Sequence, residues 1–144
     1  MGSVDVSTSI VINRAPSDVA AFAGNPENAP KWYVNIKSVD WKTPPPARVG
    51  SQIAFVAQFL GRRMAYTYEI VELTDRRLVM RTAEGPFPME TTYEWEPVDG
   101  GTRMTLRNRG TPSGFSALAA PLMARAMRSA NEKDLESLKR LLEA

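Results

Sequence analysis

From Ser51 to Asn108 the chain repeats one pattern five times: a short run in which apolar and polar residues alternate, then a tight turn. Ile53, Phe55, Ala57 and Phe59 share one side of the first run before Leu60-Gly61-Arg62 turns the chain. Met64, Tyr66, Tyr68 and Ile70 follow, up to Thr74-Asp75, and then Leu78, Met80 and Thr82, up to Gly85-Pro86. Met89, Thr91, Tyr93 and Trp95 lead into Asp99-Gly100-Gly101, and Met104, Leu106 and Asn108 close the series. Period two means half-buried strands, and such short connections make successive strands antiparallel neighbours. A sheet of this kind has one apolar face, which has to be covered.

The flanking sequence supplies the rest. Val4, Val6, Thr8, Ile10 and Ile12 alternate with Asp5, Ser7 and Ser9 as a first strand, and Asn35 to Trp41 forms a second before the Pro44-Pro45-Pro46 loop. Between them, Pro16 suits the first turn of a helix, Gly24-Asn25-Pro26 breaks it, and Pro26 to Trp32 forms a second short helix. Beyond the Gly110 to Gly114 turn the period becomes helical. Phe115, Leu118, Leu122, Met123, Ala126, Ala130, Leu135, Leu138, Leu141 and Leu142 share one stripe, while Glu132, Lys133, Glu136, Lys139 and Arg140 take the other side. Pro121 predicts a kink or fresh start nearby. The order predicts an α+β fold in which a twisted seven-stranded sheet curls around one long helix. The 144 residues suit one domain, 1–144, with no repeat or linker dividing it.

Composition closes off several functions. Without histidine or cysteine, Ser-His-Asp and Cys-His catalysis, thiolate metal sites and disulfides are excluded. No metal or cofactor is expected. No apolar run approaches the ~18 residues of a membrane span, and the N-terminus has no basic-then-apolar leader. A soluble cytoplasmic protein without integral membrane association is expected. The net charge is +2. Glu90, Glu94 and Glu96 on the sixth strand face Arg77, Arg81, Arg103, Arg107 and Arg109 on its neighbours, so cross-strand pairs neutralise the arginines in place. That leaves no stripe for nucleic acid.

Several segments resemble one superfamily: Ile12-Asn13-Arg14-Ala15-Pro16, Asn25-Pro26-Glu27 with Trp32, Val49-Gly50-Ser51, Tyr68-Glu69, Gly101-Thr102-Arg103, and Lys133 to Glu143 with Leu135, Leu138 and Leu142. The chain is similar, over essentially its whole length, to the START/Bet v 1-like (SRPBCC) superfamily of the helix-grip fold, and within it to the bacterial polyketide cyclase/dehydrase-like group. The resemblance implies a cavity between sheet and C-terminal helix that holds a small hydrophobic molecule, polyketide-, lipid- or quinone-like. It leaves open a cyclase or dehydratase acting on a ligand folded in that cavity, and an interaction protein of the coenzyme Q-binding or ribosome-associated type. A monomer or weak homodimer is expected.

The inward strand faces then name a wall: Phe55, Tyr66, Tyr68, Met80, Thr82, Met89, Thr91, Tyr93, Leu106 and Asn108, with Phe115, Leu118, Leu122, Met123 and Ala126 from the helix. Each apolar member has a plainer role as core packing. Ligand pockets of this kind span ~300–1,000 Å³, and burying about 300 Å² of apolar ligand would give roughly 7 kcal/mol before ordering costs. Asn108 needs a partner for its buried amide: a ligand oxygen, Tyr93, nearby backbone or water. Thr82 and Thr91 either hold a ligand carbonyl or bond each other. Tyr66, Tyr68 and Tyr93 are candidate proton donors, and Trp32 and Tyr33 candidate guards of an opening beside the C-terminal helix. No inward Asp or Glu is evident.

Overall fold

The computed structural model describes residues 3–111 and 120–144. In chain order these form β1 (Val4–Ile12), α1 (Pro16–Ala23), a 3-10 turn (Pro26–Asn28), α2 (Ala29–Trp32), β2 (Ile36–Trp41), β3 (Gln52–Phe59), β4 (Arg62–Leu73), β5 (Arg77–Glu84), β6 (Met89–Val98), β7 (Gly101–Gly110) and α3 (Ala120–Glu143). The strands make one antiparallel sheet in the order β1-β7-β6-β5-β4-β3-β2. Neighbours in sequence are neighbours in space, except that β1 crosses to pair with β7. The helical run α1–α2 carries the chain from one edge of the sheet to the other. Pro121 is the second residue of the described α3, so the expected break upstream of it, with Phe115 and Leu118, lies outside the described residues.

Local chemistry explains the bends. Pro16 opens α1, and the Gly24 amide closes it on the carbonyls of Ala20 and Phe22. Asn25 then accepts from the Glu27 amide at 3.1 Å, starting the next turn. At the β3–β4 hairpin, Leu60 and Gly61 both have positive φ, 52° and 76°, as a two-residue turn that follows the sheet twist requires. Bulges at Thr67/Tyr68 and Ile70/Glu72 interrupt the β4–β5 ladder and sharpen the curl of the sheet.

The concave face carries the apolar residues. Ile12, Ile53, Ile70, Leu78, Trp95, Met104 and Leu106 pack with Leu135, Leu138 and Leu142 of α3 and with Val19 and Trp32 of the short helices. A second cluster joins Val4 and Val6 to Met123 and Met127, flanked by Phe59, Met64 and Phe87. The helix also latches the free edge of β1. Lys139 Nζ donates to the Val11 carbonyl at 2.8 Å, Arg128 to that of Ser7 at 3.1 Å, and Arg14 reaches the Leu142 carbonyl at 2.7 Å.

On the convex face Arg77 meets Glu94 at 3.0 Å, Arg103 meets Glu96 at 3.2 Å, and Glu90 takes both Arg81 and Arg109 at 2.7 Å. Arg107 departs from the expected pattern. It stands opposite Thr92 on β6 and pairs instead with Asp5 of β1 at 2.6 Å.

Leu138, fully buried where α3 meets the sheet, should lose about 2–5 kcal/mol of stability on change to alanine. Leu141→Ala, at a site 45% exposed, should stay within about 0.5 kcal/mol. Urea denaturation of the two variants checks the pairing.

Candidate functional site

The two apolar clusters do not meet completely. Between the inner face of α3, the short helices and strands β2 to β7 lies a cavity of about 130 Å³. The expected range began at ~300 Å³, and the difference has a visible cause. Phe55, Tyr66 and Tyr68 pack edge to face or tilted with ring centroids 5.0–6.0 Å apart, and Trp32, Tyr33 and Tyr93 form a second stack at 4.2 and 5.7 Å. Rings occupy much of the volume the curled sheet encloses.

Most of the expected wall is present. Phe55, Tyr66, Tyr68, Met80, Thr82, Met89, Thr91, Tyr93, Asn108 and Met123 line the cavity. Three expected residues stand elsewhere. Leu106 is fully buried in the dry core, packed under the helix. Leu122 is 51% exposed, because neighbouring Met123 takes the inward position on that turn. Ala126 is half-buried and not on the cavity wall, one residue short of inward-facing Met127. Phe115 and Leu118 are outside the described residues.

Trp32 does not guard an opening. It is a core residue, 1% exposed. Tyr33 does face the cavity, and its hydroxyl meets that of Tyr93 at 2.5 Å. The seam between α2 and α3 is closed by the Val34 amide, which donates to Asp134 Oδ1 at 2.8 Å.

Polar side chains on the wall form a linked set. Tyr68 and Thr91 share a hydroxyl–hydroxyl bond of 2.8 Å, Thr91 donates to Asn108 Oδ1 at 2.6 Å, and Asn108 Nδ2 donates to Asn131 Oδ1 at 3.2 Å. The Asn108 partners are therefore Thr91 on β6 and Asn131 on α3. Thr82 does not bond Thr91; its hydroxyl is engaged with the backbone of Met89, at 2.9 and 3.2 Å.

The feature missed in the sequence is Asp134. With Asn131 it sits on the inner face of α3 among Met127, Ala130, Leu135 and Leu138, and it lines the cavity at 1% exposure. The cavity does hold an inward carboxyl, against expectation. The signal was available, since Asp134 follows Ala130 and precedes Leu138 by four residues each, the spacing of one helix face.

Burial makes this carboxyl unusual. Removal from water raises its pKa to about 7, and the single bond from the Val34 amide only partly offsets that. Tyr33 and Tyr66 are pushed well above the ordinary phenol value by burial, Tyr93 likewise, and Tyr68 to about 12. Near neutral pH the cavity thus holds protonated phenols and one carboxyl poised between its two states. Such a carboxyl can give or take a proton.

A curled seven-stranded sheet closed around one long C-terminal helix, with a cavity between them, defines a helix-grip fold. The model of the polyketide cyclase/dehydrase and lipid transport family matches residues 3–143, and the chain belongs to that family. Among solved structures it is similar to a protein of Thermus thermophilus (24% identity, 94% of each chain, TM-score 0.81). It is also similar to a START superfamily protein of Mycobacterium smegmatis (13%, 99% of this chain and 98% of that one, 0.83) and to the Zhui aromatase/cyclase of a Streptomyces species (11%, 99% and 94%, 0.79). At these identities the likeness shows the fold alone. No curated protein matches the sequence.

The carboxyl also fixes a pH dependence. A folded-state pKa raised from 3.8 to about 7 means the native state binds more protons than the unfolded state between those values, so stability falls as pH rises through that window. About three units corresponds to a loss on the order of 4 kcal/mol by pH 8. Glu90, held low chiefly by its bond from Arg81, acts in the opposite sense and only at more acid pH. Asp134→Asn keeps an acceptor for the Val34 amide. Denaturant titrations from pH 4.5 to 8 should show a falling stability curve in the natural protein and a nearly flat one in the variant.

Proposed function

We propose that the chain binds a small hydrophobic molecule in the cavity between the sheet and α3. The observation that carries this reading is a mostly apolar space, walled by aromatic rings and methionines, that the core leaves unfilled although the side chains around it are large. A cavity of about 130 Å³ suits a single ring or a short chain; an engineered apolar cavity of about 150 Å³ takes up benzene. Polyketide-, lipid- or quinone-like ligands fit through such a part of their structure. Phe55, Tyr66, Tyr68, Met80, Met89, Tyr93 and Met123 supply the apolar contact, and Thr91 and Asn108 organise the polar end. In this reading residues 1–144 act as one cytoplasmic unit. Among the described residues no helix is long and apolar enough to cross a membrane.

A second reading, a cyclase or dehydratase, is favoured by Asp134. A carboxyl with pKa near 7 can remove a proton beside a ketone and return it to a leaving hydroxyl, which is the proton traffic of an aldol closure followed by dehydration. Holding a reactive chain folded against that group would add the advantage of proximity. With a linear poly-β-ketone as substrate, Asp134→Asn should abolish turnover and leave binding within a few-fold if this reading holds.

The binding reading is tested with ethylbenzene. Calorimetric titration should show saturable uptake of one molecule per chain. Ala57→Phe, which places a ring at a buried cavity-wall position, should weaken it at least tenfold while the protein stays folded by circular dichroism. Equal affinity in the two proteins would remove the cavity from consideration.

A further inference from the structure

We infer that the molecule held in this cavity carries a carbonyl-type hydrogen-bond acceptor and no negative charge, and that the side-chain amide of Asn131 is the donor that recognises it. This rests on the reading that the cavity holds a small molecule, and it adds the chemical class.

The direction of the polar chain carries the inference. Thr91 has one hydroxyl proton, and Asn108 Oδ1 has none to give, so the 2.6 Å bond between them is donated by Thr91. The 2.8 Å contact of Thr91 with Tyr68 must then be donated by Tyr68. Asn108, its oxygen engaged, passes an N–H to Asn131 Oδ1 at 3.2 Å. Every donor points the same way, from β4 through β6 and β7 to α3. The run ends at Asn131 Nδ2, which is buried and has no partner among the described residues. Reversing the chain would strand the Tyr68 proton as well as leave Asn131 Oδ1 without a donor, so the observed direction satisfies more groups. Aligned bonds polarise one another, which strengthens the last N–H as a donor.

A buried N–H without an acceptor destabilises the fold it sits in. Asn131 is 4% exposed and lines the cavity, so the missing acceptor is one that arrives with the occupant. A ketone, aldehyde, ester or quinone oxygen supplies it. A phenol oxygen also accepts, but more weakly than a carbonyl oxygen, so it gains less there.

The charge of the occupant follows from the wall. Among the described lining residues none is Lys or Arg, and Asp134 stands one turn from Asn131 on the same helix face. A carboxylate ligand would enter without a counter-ion and beside a second carboxyl, so fatty acids and aromatic acids in their ionised form are rejected. The site separates neutral carbonyl compounds from hydrocarbons by one hydrogen bond and from anions by desolvation.

Four near-isosteric probes test this by calorimetric titration at pH 7.5: ethylbenzene, acetophenone, 4-ethylphenol and benzoate. Acetophenone should bind about tenfold tighter than ethylbenzene, the effect of one satisfied buried hydrogen bond, with 4-ethylphenol weaker than acetophenone and benzoate undetectable. In Asn131→Leu the ketone and the hydrocarbon should bind alike. If that variant fails to fold, the side-chain amide resonances of Asn131 in the natural protein give the same answer: acetophenone should shift them and ethylbenzene should not. Equal affinity for ethylbenzene and acetophenone overturns the inference while the binding reading stands. So does tighter binding of 4-ethylphenol or benzoate, or an Asn131 amide that ignores the ketone. If none of the four binds, the cavity is not a ligand site and both readings fall.

Discussion

One apolar sheet face needs one cover, and α3 provides it. The short helices close a corner of the concave surface, but the contact of Leu135, Leu138 and Leu142 with the strands is what holds the sheet in its curled form. Everything functional depends on how that cover is divided. Its C-terminal half is dry and close-packed. Its N-terminal half presents Met123, Met127, Asn131 and Asp134 to a space that is not filled. The same helix is lock at one end and wall at the other.

Placing a carboxyl and an amide on that wall has a thermodynamic cost that packing elsewhere must offset. Asp134 is removed from water with a single backbone donor for compensation, and Asn131 keeps one donor unmatched. Leucine at either position would satisfy the helix period better. Residues that conflict with local consistency in this way are the ones to associate with function rather than with stability. Family membership says which architecture this is. The chemistry belongs to these two positions.

Much of the fold was legible in the sequence because each signal was local. Alternation from Ile53 to Asn108 marked five strands, Pro16 and Gly24 bracketed α1, and the change of period after Gly110 announced the helix. The site was legible where it shared that alternation: Tyr66, Tyr68, Thr91, Tyr93 and Asn108 are on the wall because strand faces are binary. Legibility failed where the inward line of a helix had to be chosen, because one residue rotates the side chain by about 100°. Leu122 and Ala126 each stand one residue away from the true inward positions, Met123 and Met127. Asp134 escapes notice because a charged residue beside Lys133 and Glu132 reads as part of a solvated stripe. The cavity volume was not readable at all, since it depends on how the rings stack and not on which rings are present.

The pairing of β1 has a further consequence. Its residues find their ladder partners on β7 about a hundred positions later, as in the pairing of Asp5 with Arg109, and Lys139 and Arg128 of α3 bond the carbonyls of its outer edge. During synthesis β1 therefore waits unpaired until β7 has been made. Closure of such distant contacts is slow, and an unprotected strand edge invites the wrong partner in the interval. Asp5, Ser7 and Ser9, exposed on the outward side of β1, leave one face of the unpaired segment polar, which discourages such mispairing.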